Sequence, residues 1–291
     1  MKPQNLSILA VLLMTMVGSL FTSAARAETN NGVTCGLFDG IDEPGAIHWP
    51  VNGNLYYCGD TPSPDAAGVS VVWNASQGST GQVVGKQVVP FLRQVSTKTG
   101  VEVYVFGTIA DFNKYFGTSL TPPPGTDAAG LTTKPGQLPN HAGPVTAIFQ
   151  HAASINTSPS RLLMIAQTTN HEMGHEMDRY YKYPSTHSAN YLNAVNLDIA
   201  YLNKQTCLGV FGGSGLTTAQ LQQVCSLSMT NWKRMQHLWP YDTSADEFFA
   251  NVFAAQSPSG CVNEPLGVII NNHFTYTISY EHGLRTGTGT P

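Results

Sequence analysis

Charge is scarce in this chain of 291 residues: Asp, Glu, Lys and Arg make up 11% of it, with 14 basic against 18 acidic side chains and a formal net charge of −4. No basic surplus is present to hold a phosphate backbone, which excludes a nucleic-acid-binding role. Internal repeats and a Gly-X-Y period are missing, and 42% hydrophobic content is enough for a packed core, so collagenous and disordered classes are excluded as well. No two cysteines stand in C-x-x-C spacing, and beyond the first 27 residues no apolar run is long enough to span a bilayer.

What is present begins with a processing signal. Lys2 precedes an almost wholly apolar run from Leu6 to Phe21, and Ala25-Arg26-Ala27 forms an A-x-A cleavage site, so residues 1–27 read as a secretory signal peptide. Cleavage removes Lys2 and Arg26, leaving 12 basic and 18 acidic groups, a net charge of −6. The expected location is secreted or periplasmic, with no membrane contact after cleavage. Cys35, Cys58, Cys207, Cys225 and Cys261 all follow the leader, which suits disulfides in an oxidising compartment. Short local loops favour Cys35–Cys58 and Cys207–Cys225, with Cys261 outside both bridges.

Residues 28–68, rich in Gly, Pro, Asn and Asp, read as an irregular N-terminal region or a short hairpin held by a disulfide. Strands are expected at Val69 to Trp73, Val101 to Gly107 and Val145 to His151, and helices at Gln82 to Thr97 and from Ser158 to about Tyr183. Between Gly117 and Gly143 the chain is rich in Pro and Gly and lacks either period, which predicts a long loop able to cover a cleft. Three further helices are expected at Ser188 to Gln205, Thr217 to His237 and Ser244 to Gln256. The run from Gly267 to Tyr280 reads as strand or mixed structure, and residues 286–291 as a disordered tail. Residues 69–285 then form a single α+β domain, a small mixed sheet packed on one long helix with a mostly helical C-terminal lobe.

That long helix carries "HEMGHEMD". His171 and His175, four apart, share one face and can reach a single ion, while Glu172 stands about 100° round and can face a water on that ion. Apolar residues Leu162 to Ala166 carry the same helix into the core, where two inward His and a Glu need partners. The spacing fits metal-assisted hydrolysis by one catalytic Zn2+, which requires a third protein ligand and an open position.

The extended H-E-x-x-H-x-x-G-x-x-H pattern fails at Asp178 and Tyr181, so the third ligand must come from a separate segment. Of the downstream carboxylates, Glu247 opens "EFFANVFA", whose aromatic residues can dock in the core and hold it rigidly. Asp246 is the rival, pointing about 100° away, and a carboxylate that only caps the helix is the remaining alternative. Asn251, one turn beyond Glu247, can take a hydrogen bond from a ligand His. Asp178 can orient a ligand or bond across to another helix.

"HEMGHEMDRYY" followed some seventy residues later by "DEFFANVFA" resembles the anthrax lethal factor-like zinc metallopeptidases, which include the Pro-Pro endopeptidases, within the gluzincin group. Two segments, twenty residues in all, carry the likeness. It implies a zincin-like fold, zinc held by His171, His175 and Glu247, Glu172 as general base, and a peptide or protein substrate pairing with an edge strand at Val145 to Gln150. The family also places a Tyr upstream of the glutamate ligand, and Tyr241 is the nearest match for a donor to the developing oxyanion, with His237 a weaker one. Asn251 departs from the family, which often has an acidic residue there. The reading is a secreted zinc endopeptidase; an aminopeptidase and a zinc-bearing binding or adhesion module are the alternatives.

Overall fold

The structure, a computed structural model, describes residues 27–37, 40–43, 47–50, 55–58, 80–122, 128–156, 158, 160–202, 217–218, 244–261 and 264–291. All but the last residue of the expected leader (1–27), the strand expected at Val69 to Trp73, the expected Cys207–Cys225 bridge, nearly all of the helix expected from Thr217 to His237, and Tyr241 lie outside these residues.

The described strands are β1 (Ala27–Asn30), β2 (Val33–Leu37), β3 (Gly40–Glu43), β4 (Ile47–Pro50), β5 (Leu55–Cys58), β6 (Glu102–Phe106), β7 (Gly130–Thr132) and β8 (Val145–Phe149). Six of them form a mixed sheet in the order β1-β2-β5-β6-β8-β7, and β3 pairs with β4. β5, β6 and β8 run parallel; β1, β2 and β7 are antiparallel to their neighbours.

The N-terminal region takes the hairpin alternative rather than the irregular one and goes further, since it supplies three strands of the sheet. Asn31 and Gly32 both adopt positive φ, 49° and 77°, as a two-residue type I′ hairpin turn requires, and they join β1 to β2. Cys35 and Cys58 face each other across β2 and β5 and are joined by a disulfide. Tethering residues 23 apart in sequence removes roughly 3 kcal/mol of unfolded-chain entropy.

Alternation along β6 sorts the two sides of the sheet. Val103 and Val105 enter one apolar cluster with Leu55, Tyr57 and Ile148, under the helical layer. Tyr104 and Phe106 enter a second with Val145, Ala147 and Phe149, covered by α2 (Ile109–Phe116). Helix α1 (Thr80–Thr99) turns Val84, Val88, Leu92 and Val95 toward the first cluster at helical spacing. After the short α3 (Ala153–Asn156), α4 (Arg161–Tyr180) packs on α1, β7 and β8. It begins at Arg161, with Ser160 in the cap position, three residues after the expected start at Ser158.

α5 (Pro184–His187), α6 (Ala189–Leu202), α7 (Ala245–Ala255), α8 (Glu264–His273) and α9 (Thr275–Thr286) complete the described helices. α6 and α7 fall where the sequence places them. α8 and α9 replace the strand or mixed structure expected from Gly267 to Tyr280. Ile270, Phe274, Thr277, Glu281 and Leu284 are buried at alternating spacings of four and three, so burial of one helical face overrides the β propensity of Val, Ile and Thr. The expected disordered tail opens instead as a cap, with Gly287 in the left-handed region and the Thr288 and Gly289 N–H groups both bonding the Gly283 carbonyl. No described helix is long and apolar enough to cross a membrane.

Candidate metal centre

Two helices bring the site together. α4 carries His171, Glu172 and His175, and α7, entered from Ser244, carries Glu247 in its first turn. They cross at Gly174: a Cβ built there would stand 2.7 Å from Ala250 Cα and 3.1 Å from its carbonyl oxygen. Backbone cannot yield as a side chain can, so the glycine of "HEMGH" permits the approach that delivers Glu247 to the histidines. Phe248, Phe249 and Phe253 of α7 are buried in the helical-side cluster, as the sequence implied, and fix the helix against rotation.

His171 Nε2 lies 3.2 Å from Glu247 Oε2 and His175 Nε2 lies 3.4 Å from Glu247 Oε1. The rings stand edge to face with centroids 4.8 Å apart. One ligand atom from each of the three residues falls within 4.8 Å of the others, and this group can hold a metal ion. Asp246, the rival, adds negative charge beside His175 but is not part of the group.

Asn251 stands where expected. Its Oδ1 lies 3.0 Å from His171 Nδ1; with the ring N–H donating, Nε2 is the nitrogen turned to the centre. The same oxygen accepts from the buried Cys261 thiol at 3.4 Å. Asp178 takes the structural alternative: its carboxylate accepts from the Ser185 N–H at 2.9 Å and the Ser185 hydroxyl at 2.7 Å, tying the end of α4 to α5 rather than orienting a ligand. Burial pushes Asp178 above the ordinary carboxylate range against these bonds.

Electrostatically the three side chains form a cluster that favours positive charge. Burial alone would raise the Glu247 carboxyl, but hydrogen bonds to His171 and His175 and their charges hold it well below the usual range. Burial likewise pulls His175 down, yet the hydrogen bond to Glu247 and the charges of Glu172, Glu247 and Asp246 lift it to about 9. A raised folded-state pKa contributes stability that is complete below the unfolded value near 6.5 and lost as pH rises through the folded one. The metal-free protein should accordingly lose thermal stability as pH rises from 6.5 to about 9. A bound cation replaces the ring proton, so thermal melts of the metal-loaded protein should lack this slope; equal slopes in both forms would contradict the assignment.

Glu172 is held from the sheet. The Thr132 hydroxyl lies 2.9 Å from Glu172 Oε2 and 3.0 Å from its carbonyl oxygen, and 3.4 Å from the hydroxyl of Thr146, its partner across the ladder. These contacts correct the expected edge strand. β8 is flanked by β6 and β7, so among the described residues the edge nearest the site is β7, within the segment expected to be a loop. Ala129 and Thr133 bond β8 through their backbones; by alternation, Gly130 and Thr132 turn theirs outward. Three residues between Pro-rich flanks are too few to show a strand period. No signal in the sequence singled out Gly130 or Thr132, nor the Cys261 contact.

No known protein family, curated protein or solved structure matches the chain.

Proposed function

We propose that the protein is an exported, zinc-dependent endopeptidase with a zincin-like arrangement of sheet and active-site helix. The observation that carries this reading is the grouping of His171, His175 and Glu247, one ligand atom from each within 4.8 Å of the others and each imidazole nitrogen facing one oxygen of the Glu247 carboxylate, with Glu172 adjacent on the same helix. Donors bound to zinc at about 2.0–2.1 Å with tetrahedral angles stand roughly 3.3 Å apart; the two separations of 3.2 and 3.4 Å match that spacing. Two nitrogens and one carboxylate are also a donor set that leaves a fourth position for water.

His171, His175 and Glu247 would hold the ion, with Asn251 fixing the His171 ring. When bound, zinc supplies a Lewis acid and lowers the pKa of water. Glu172 takes the proton of the attacking water and passes it to the leaving nitrogen. A peptide backbone pairs with the outward N–H and C=O groups of Gly130 and Thr132, in the manner of strand addition. Tyr241 is the proposed donor to the developing oxyanion. The signal peptide read from residues 1–27 would carry the enzyme out of the cytoplasm.

A diverse peptide library incubated with the zinc-loaded protein and analysed by mass spectrometry tests the reading. Internal cleavage that stops on chelation and returns with zinc is the expected result. Trimming of single N-terminal residues would indicate an aminopeptidase, and intact peptides with stoichiometric zinc would indicate a binding module.

A further inference from the structure

We propose that β7 sets the position of the Glu172 carboxylate through two residues: Thr132, which anchors one oxygen, and Gly130, whose missing side chain is the space the carboxylate occupies. The inference rests on Glu172 serving as general base and adds the elements that aim it. Thr132 Oγ1 donates to Glu172 Oε2 at 2.9 Å. On the same face of the strand, a Cβ built on Gly130 would stand 2.8 Å from Glu172 Cγ, 2.9 Å from Oε1 and 3.1 Å from Cδ. The side chain is thus tethered at one oxygen and bordered at the other by bare backbone.

The atoms that a methyl on Gly130 would displace belong to a side chain and not to backbone. This separates stability from activity, because Glu172 can swing aside at little cost to the fold while leaving its working position. Gly174 presents the opposite case, its neighbours being the Ala250 backbone. Thr132 is anchored in turn by its ladder position opposite Thr146, which is fully buried. Both are positioning residues that act through Glu172.

Gly130→Ala should keep full zinc content and melt within about 2 °C of the wild type, yet lose kcat by about 100-fold, the scale of a reacting group misplaced by roughly 1 Å. Thr132→Val keeps the β-branched shape without the donor and should lose kcat about tenfold with KM within about twofold, and Thr132→Ser should recover most of that loss. β7 also meets substrate in the proposed function, so the deciding comparison is a cycle with Glu172→Ala. If Gly130 acts through Glu172, the double variant is no slower than Glu172→Ala alone; multiplying losses would overturn the inference. Crystal structures of the metal-free wild type and Gly130→Ala give a readout independent of turnover. A displaced Glu172 carboxylate supports the inference, and an unmoved one overturns it. An inactive wild type would count against the endopeptidase reading alone, leaving the crystallographic comparison to decide the role of Gly130.

Discussion

Glu172→Gln should reduce peptide hydrolysis by about 10²- to 10⁴-fold while one zinc per chain stays bound. Gln has the size of Glu and can still accept a hydrogen bond from Thr132, so the helix and the strand contact are preserved. What disappears is the capacity to take a proton from water and return it to the leaving amine. The loss should therefore lie in kcat, with KM little changed and the melting temperature within a few degrees of the wild type. Metal analysis beside initial-rate kinetics distinguishes this from loss of the ion. Retention of a third or more of the wild-type rate would remove Glu172 from the chemistry.

Glu247→Ala should act on the metal first. Loss of residues that merely orient metal ligands typically costs 10- to 100-fold in affinity, and removal of a ligand itself should exceed about 100-fold. Competition against a chelator of known affinity measures this directly. Asp246→Asn is the informative companion: it removes a neighbouring charge that acts on His175 while leaving the three donor atoms intact. A modest change is expected for it, and a larger loss than for Glu247→Ala would transfer the ligand role to Asp246. Activity should follow zinc occupancy in both variants, so excess zinc should partly restore a weakened site.

The sequence carried the metal-binding residues further than it carried the sheet that serves them. His171, Glu172 and His175 are legible because four-residue spacing on a helix is a local geometric fact. Glu247 required only that the aromatic residues after it be buried, and Phe248, Phe249 and Phe253 are. Asn251 followed from one helical turn. Position on the sheet edge had no such local signature. β8 has the run of apolar residues that suggests a strand, but whether it is central or marginal depends on β7, three residues long and enclosed by proline and glycine. Nor did Asp178 declare itself, because its bond to Ser185 depends on a chain reversal through Lys182 and Tyr183, both at positive φ. The Asn31-Gly32 hairpin was legible in principle: Val33, Cys35 and Leu37 alternate after the turn, but Ala27 to Asn30 before it carry no apolar alternation to pair with them. The error from Gly267 to Tyr280 has another source, since residue preference and helical spacing disagree there and packing decides.

Close contact between α4 and α7 at Gly174 and Ala250 has a consequence for the order of assembly. In small zinc modules the ion is the scaffold, and chelation unfolds the chain. Here the two ligand-bearing helices are locked by backbone proximity and by Phe253 Cβ, 3.0 Å from the place a Gly174 Cβ would take, before any ion arrives. A metal held there would enter as a guest in a finished frame. Its binding energy would not be consumed in building the fold, so extraction and reloading should cycle without denaturation, and the measured affinity should report the three side chains themselves.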